Sequence, residues 1–231
     1  MAQSKKQQNL FVVGAIVVVV IVAFVGIILL SQNAGASGSA ITGDTPAARN
    51  TDGSYILGDE NAPITFVVFS NYFCGHCQDY KETVDRLISE FVVTGKARVE
   101  HRLVGNNADS IGYAQLTECA TEQTDPLTAW QAMDLLFEYS TTRRLSANDA
   151  GRELATALQL NYARLLECTV TADQYEIDGQ LARSAGTTGT PAVRVRFAGD
   201  AVSDVQLISP QYQGGGVDFA TLSRIIEDAN N

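Results

Sequence analysis

The sequence predicts an α/β fold in which a βαβ unit and a ββα unit flank a long helical block, with one N-terminal transmembrane helix in front. Three observations carry this prediction. Residues 64–69 (ITFVVF) are a β-branched and aromatic run with no polar alternation, the pattern of a strand buried on both faces. From about Ala108 to Ala185 apolar residues recur at helical spacing. After Gly186 alternation returns in residues 191–199 (PAVRVRFAG), which reads as a strand.

The elements follow in order. Beyond the first strand, Tyr80, Val84, Leu87, Ile88 and Phe91 recur as one helical face, and Gly95 supplies the stop. Residues 97–104 (ARVEHRLV) read as the second strand. Within the helical block, Asp125-Pro126 forms an N-cap followed by proline at the first helical position, and Leu127, Trp130, Met133 and Phe137 supply the buried face. Ser146 and Thr171 are two further expected N-caps. Val205 to Ile208 can pair with the late strand, and Phe219, Leu222, Ile225 and Ile226 mark a last helix.

Location limits the chemistry. Residues 10–30 carry no charge, and at 1.5 Å per residue they match a bilayer core of about 30 Å. Lys5 and Lys6 precede this run, and no Asp, Glu, Lys or Arg occurs from Gln7 to Gly43. That asymmetry predicts a cytoplasmic segment 1–9, a single-pass anchor 10–30 in the cell membrane, and an extracytoplasmic remainder. The alternative is a cleaved signal peptide, for which Ala34-Gly35-Ala36 offers a small-residue site, but the apolar run exceeds a usual signal core. Residues 31–54, rich in Gly, Ala, Ser and Thr, read as a flexible linker, leaving residues 55–231 as one domain with its insertion at about 108–185. The chain is at net −10, and without Lys5 and Lys6 it has 14 basic against 26 acidic side chains, or −12. Nucleic acid and anionic lipid are poor partners for such a surface.

The four cysteines are Cys74, Cys77, Cys119 and Cys168. Residues 70–80 (SNYFCGHCQDY) place Cys74 and Cys77 two residues apart, where the first strand turns into a helix. At a helix N-terminus unpaired N–H groups and the macrodipole favour a thiolate by roughly 0.3–2 kcal/mol. Cys74 is thus the attacking and leaving sulfur, Cys77 one turn on the resolving one, and a cationic His76 would add to the effect. Zinc needs four ligands, and Cys119 and Cys168 lack close partners; covalent haem needs His where Gln78 stands. No metal or cofactor is therefore expected. His101, in a strand-like run, is read as packing or facing solvent.

Cys74-Gly75-His76-Cys77 after a core strand, TGTP at 188–191 before a later one, and the helical block between them resemble the DsbA-like branch of the thioredoxin superfamily. Residues 57–65 (LGDENAPIT) and 128–137 (TAWQAMDLLF) look similar too, and the resemblance spans about Ile56 to Ile226. It implies a thioredoxin fold with helical insertion and a protein thiol–disulfide oxidoreductase. Gly75 and His76 would tune the dithiol. Pro191 would be cis, with Thr190 contacting substrate and Cys74. Reduced or unfolded exported polypeptides would be the clients, reoxidation coming from a membrane partner of the DsbB or vitamin K epoxide reductase type. Cys119 and Cys168 would form a structural disulfide in the insertion, the alternative being a second redox pair. Two rival functions remain: a membrane-tethered reductase, as in cytochrome c maturation, and a polypeptide-binding chaperone whose cysteines are structural. One departure stands out: relatives carry a buried acid six residues before the first active cysteine, and here that residue is Val68.

Overall fold

The computed structural model describes residues 41–231. The expected anchor at residues 10–30 lies outside them, and among the described residues no helix is long and apolar enough to cross a membrane. A six-stranded mixed sheet runs in the order β1-β2-β4-β3-β5-β6. Its strands are β1 (Ala47–Arg49), β2 (Tyr55–Leu57), β3 (Ile64–Ser70), β4 (Arg98–Leu103), β5 (Ala192–Phe197) and β6 (Gln206–Leu207). The helices are α1 (Gly75–Leu87), α2 (Ala108–Glu122), α3 (Pro126–Glu138), α4 (Ala147–Ala157), α5 (Tyr162–Thr169), α6 (Gln174–Ser184) and α7 (Phe219–Ala229).

β3 is central, parallel to β4 and antiparallel to β5, and all seven of its residues are buried. Its alternating side chains serve two cores. Phe66 and Val68 join the large cluster with α1 and the helical block, while Val67 and Phe69 pack with Ala182 of α6 and Ala192. The register sets Val68 beside His101 of β4 and Val193 of β5, which fixes what lies under α1.

α1 continues through a π turn, Ile88–Val92, and stops as expected at Gly95, whose φ of +73° suits glycine. Gly95 N–H donates to Val92 O at 3.0 Å and Lys96 N–H to Phe91 O at 3.0 Å, the paired bonds of a Schellman stop. Asp125 and Ser146 cap α3 and α4, each accepting a backbone N–H three residues on. Thr171 is not a cap. α6 begins at Gln174 after Asp173, and the Thr171 hydroxyl turns back to donate to Cys168 O at 3.3 Å. A threonine near a helix start can satisfy itself on the preceding turn instead.

The ordered sheet reaches into the stretch read as linker. Ala47–Arg49 form β1 against β2, with the Arg49 guanidinium 4.7 Å from the centre of the Tyr55 ring. A three-residue strand held by main-chain bonds leaves no apolar alternation to read. The late hairpin is shorter than expected, since only Gln206–Leu207 pair with β5.

Candidate active site

Cys74 is the N-cap of α1, in extended backbone conformation, and makes no side-chain cap bond. A cysteine here leaves the first helical N–H groups free to face its sulfur. Cys74 is partly exposed, whereas Cys77, one turn in, is 2% exposed; both are free thiols. The Cys74 thiol donates to Thr190 O at 3.1 Å, across 116 residues of sequence. The Thr190–Pro191 peptide is cis, as the resemblance implied. Asn71 N–H donates to Cys77 Sγ at 3.4 Å.

The two sulfurs are pushed apart electrostatically. Partial burial opposes ionisation of Cys74, but hydrogen bonds from the Thr190 side chain and from the Cys77 and His76 backbone outweigh it, so its pKa is lowered. Burial pushes Cys77 up to about 11. One sulfur is thus prepared as a thiolate and the other as a thiol. Gly75 is exposed, with nothing within 4 Å of a Cβ built on it, and His76 is exposed and lines an open groove together with Thr190, the partner of Cys74.

That groove, of about 760 Å³, runs between α1, the Thr188–Pro191 loop and Gly214–Gly216. A Cβ on Gly216 would run into the Tyr80 ring, and one on Gly214 into the Thr188 hydroxyl. Tyr80 clamps the far wall, its hydroxyl donating to Val217 O at 2.8 Å and accepting from Val217 N–H at 3.2 Å. Sequence reasoning singled out neither the glycine run nor Tyr80's polar end. The GGG triplet at 214–216 was the available signal.

Cys119 and Cys168 are disulfide-bonded, with Cα atoms 5.7 Å apart, and join α2 to α5. His101 was read as packing or facing solvent. It is 6% exposed, 5.9 Å between ring centres from Trp130, and its Nε2 has no hydrogen-bond partner among the described residues.

A family profile described as thioredoxin matches residues 50–196. The chain belongs to the thioredoxin family. Among solved structures, this thioredoxin-family chain is similar to α-DsbA1 of Wolbachia pipientis, at 18% identity and a TM-score of 0.64, covering 78% of this chain and 92% of that one. A thioredoxin-like oxidoreductase from Silicibacter pomeroyi DSS-3 matches at 20% identity and a TM-score of 0.59, covering 78% and 94%. DsbA2 of Pseudomonas aeruginosa matches at 22% identity and a TM-score of 0.57, covering 74% and 91%. At these identities the likeness concerns the fold. No curated protein matches.

Proposed function

We propose that this chain is an extracytoplasmic protein thiol–disulfide oxidoreductase, tethered to the cell membrane by residues 10–30, that oxidises cysteine pairs in exported polypeptides. The observation that carries the reading is the asymmetric dithiol. A partly exposed Cys74 with a lowered pKa stands over a buried Cys77 near 11, and its partner Thr190 lines the open groove. A low-pKa outer sulfur is a good leaving group and stabilises the reduced form as thiolate, which makes the disulfide oxidising. The client sulfur, as thiolate, attacks Cys74 and displaces Cys77. A second client thiolate then attacks the client sulfur of the mixed disulfide and releases Cys74 as thiolate.

Thr190 and Pro191 border the open groove, where extended client backbone can pair with little demand on side chains. The reduced dithiol is returned to the disulfide by a membrane oxidase of the DsbB or vitamin K epoxide reductase type. Isomerisation of wrong pairs uses the same exposed sulfur. Equilibration with glutathione and oxidative refolding of reduced ribonuclease test the reading. The expected potential lies well above the roughly −270 mV of thioredoxin, and Cys74→Ser abolishes ribonuclease oxidation. A potential below about −250 mV would turn the assignment to a reductase. Full function of Cys74→Ser in cells would turn it to a chaperone with structural cysteines.

A further inference from the structure

Behind Cys77 lies a cavity of about 20 Å³, between β3, β4, α1 and α3. Its wall includes Cys77, Ser70, Lys81, His101, Trp130 and Asp134. Two buried polar atoms on that wall, His101 Nε2 and Trp130 Nε1, have no hydrogen-bond partner among the described residues, although their side chains are only 6% and 4% exposed. A space of this size admits one water, and a buried water needs two to four polar partners. Orphaned polar atoms on two residues that line one cavity are what such a site would satisfy.

The opposite end of the cavity reaches solvent through a charged pair. Lys81, one turn beyond Cys77 on α1, bonds Asp134 of α3 at 2.9 Å and Asp85 at 2.7 Å, and its side chain is 25% exposed. We infer that the cavity holds one water, anchored by His101 and Trp130, through which the Lys81 ammonium protonates Cys77 when that sulfur is displaced. The inference rests on the oxidoreductase reading above. It also supplies what Val68 cannot, since the residue beside His101 in the sheet register has no ionisable group.

The step balances. A client thiolate attacks Cys74 Sγ and forms the mixed disulfide, while the Cys74–Cys77 bond breaks with its electron pair on Cys77 Sγ. The water gives that sulfur a proton, takes one from Lys81, and Lys81 is recharged from solvent at its exposed end. The client sulfur is oxidised and the enzyme disulfide reduced. Lys81 suits the task. Burial opposes its charge, but Asp134 and Asp85 hold its pKa above the usual lysine value, so it carries a proton to give at neutral pH. His101 stays neutral, pushed down to about 3 by burial and by Lys81, so it orients the water without competing for the proton. The charged and titratable groups around the cavity are therefore Lys81, Asp85 and Tyr80 of α1, Asp134 of α3 and His101 of β4.

The test is the rate at which the oxidised protein forms a mixed disulfide with reduced glutathione, trapped by acid quench and followed by mass. Rates from pH 6 to 11 are divided by the thiolate fraction of glutathione. The wild-type corrected rate stays flat through the ordinary lysine value of about 10.4, since Asp134 and Asp85 hold the Lys81 proton beyond it. Lys81→Met and Lys81→Arg both lower the plateau, by about 10²-fold at pH 7. Arginine keeps the charge but does not release its proton. His101→Leu lowers the plateau similarly, and His101→Gln, which keeps a hydrogen-bonding tip, recovers part of it. A wild-type rate in Lys81→Arg assigns Lys81 a purely electrostatic role and overturns the inference, as does a Lys81→Met profile matching wild type at every pH. Lys81 is partly exposed, so its variants fold even if the His101 variants do not. Loss of all reaction with glutathione in the wild-type protein would instead sink the oxidoreductase reading.

Discussion

Cys74 and Cys77 differ by three positions and by opposite environments. The first sits at a helix start, where Thr190 and two backbone N–H groups favour the anion; the second is buried, and burial outweighs its bonds from Thr190, Asn71 N–H and Ser70. Hydrogen bonds to the charged form lower a pKa and desolvation raises it, so one helical turn separates a prepared leaving group from a latent one. Thr190 tests this at the residue scale. Thr190→Val removes a hydroxyl that lowers the Cys74 pKa, so the thiolate titration followed at 240 nm shifts to higher pH. Alkylation of Cys74 at neutral pH slows accordingly, while alkylation at high pH is unchanged. Cys74 and Cys77 were legible from spacing alone. His101 was not, because a histidine in a strand reads the same whether its ring meets solvent or a buried cavity.

The elements show what patterning can carry. The continuous run of β3, the helical face of α1, the Gly95 stop and the caps at Asp125 and Ser146 all follow from local rules, since each depends on residues within one or two turns. β1, β2 and the start of α6 do not, because three-residue strands and an uncapped helix start take their bonds from distant partners. Within the insertion, α2 and α5 are joined by a disulfide closing a loop of about 50 residues, worth roughly 4 kcal/mol in the chain-entropy picture. The double variant Cys119→Ser/Cys168→Ser is expected to melt markedly lower yet keep the glutathione equilibrium of Cys74/Cys77. Loss of ribonuclease oxidation with unchanged melting would instead make this bridge a redox relay.

Across the whole molecule, a buried charge network ties the helical block to the sheet. Glu100 and Arg102 of β4 are both fully buried. Glu100 pairs with Arg102 and with Arg196 of β5, and accepts from Ser54 at 3.0 Å. Asp178 of α6 closes the network from the other side, accepting from Arg102 at 3.0 Å, Leu103 N–H at 2.8 Å and Gln174 at 3.0 Å. Removing Asp178 takes the acceptor from Leu103 N–H and Gln174, while Arg102 keeps Glu100 and Asp52, and a buried donor left unsatisfied costs about 1–3 kcal/mol. Asp178→Ala should therefore lower the unfolding free energy read from denaturant melts by that much, whereas Lys81→Met, at a partly exposed site, should cost far less.

By itself the sequence determined the paired cysteines, their place at a strand-to-helix junction, and the βαβ, helical-block, ββα order from β3 onward, because each is written in spacing and periodicity over a few residues. Tertiary structure alone decided which groups meet those sulfurs. Thr190 reaches Cys74 across 116 residues, and His101, Trp130 and Asp134 line one cavity with Cys77 from β4 and α3. Such contacts depend on the register of β3 against β4 and on how α3 packs over both, and neither is a property of any short stretch of chain.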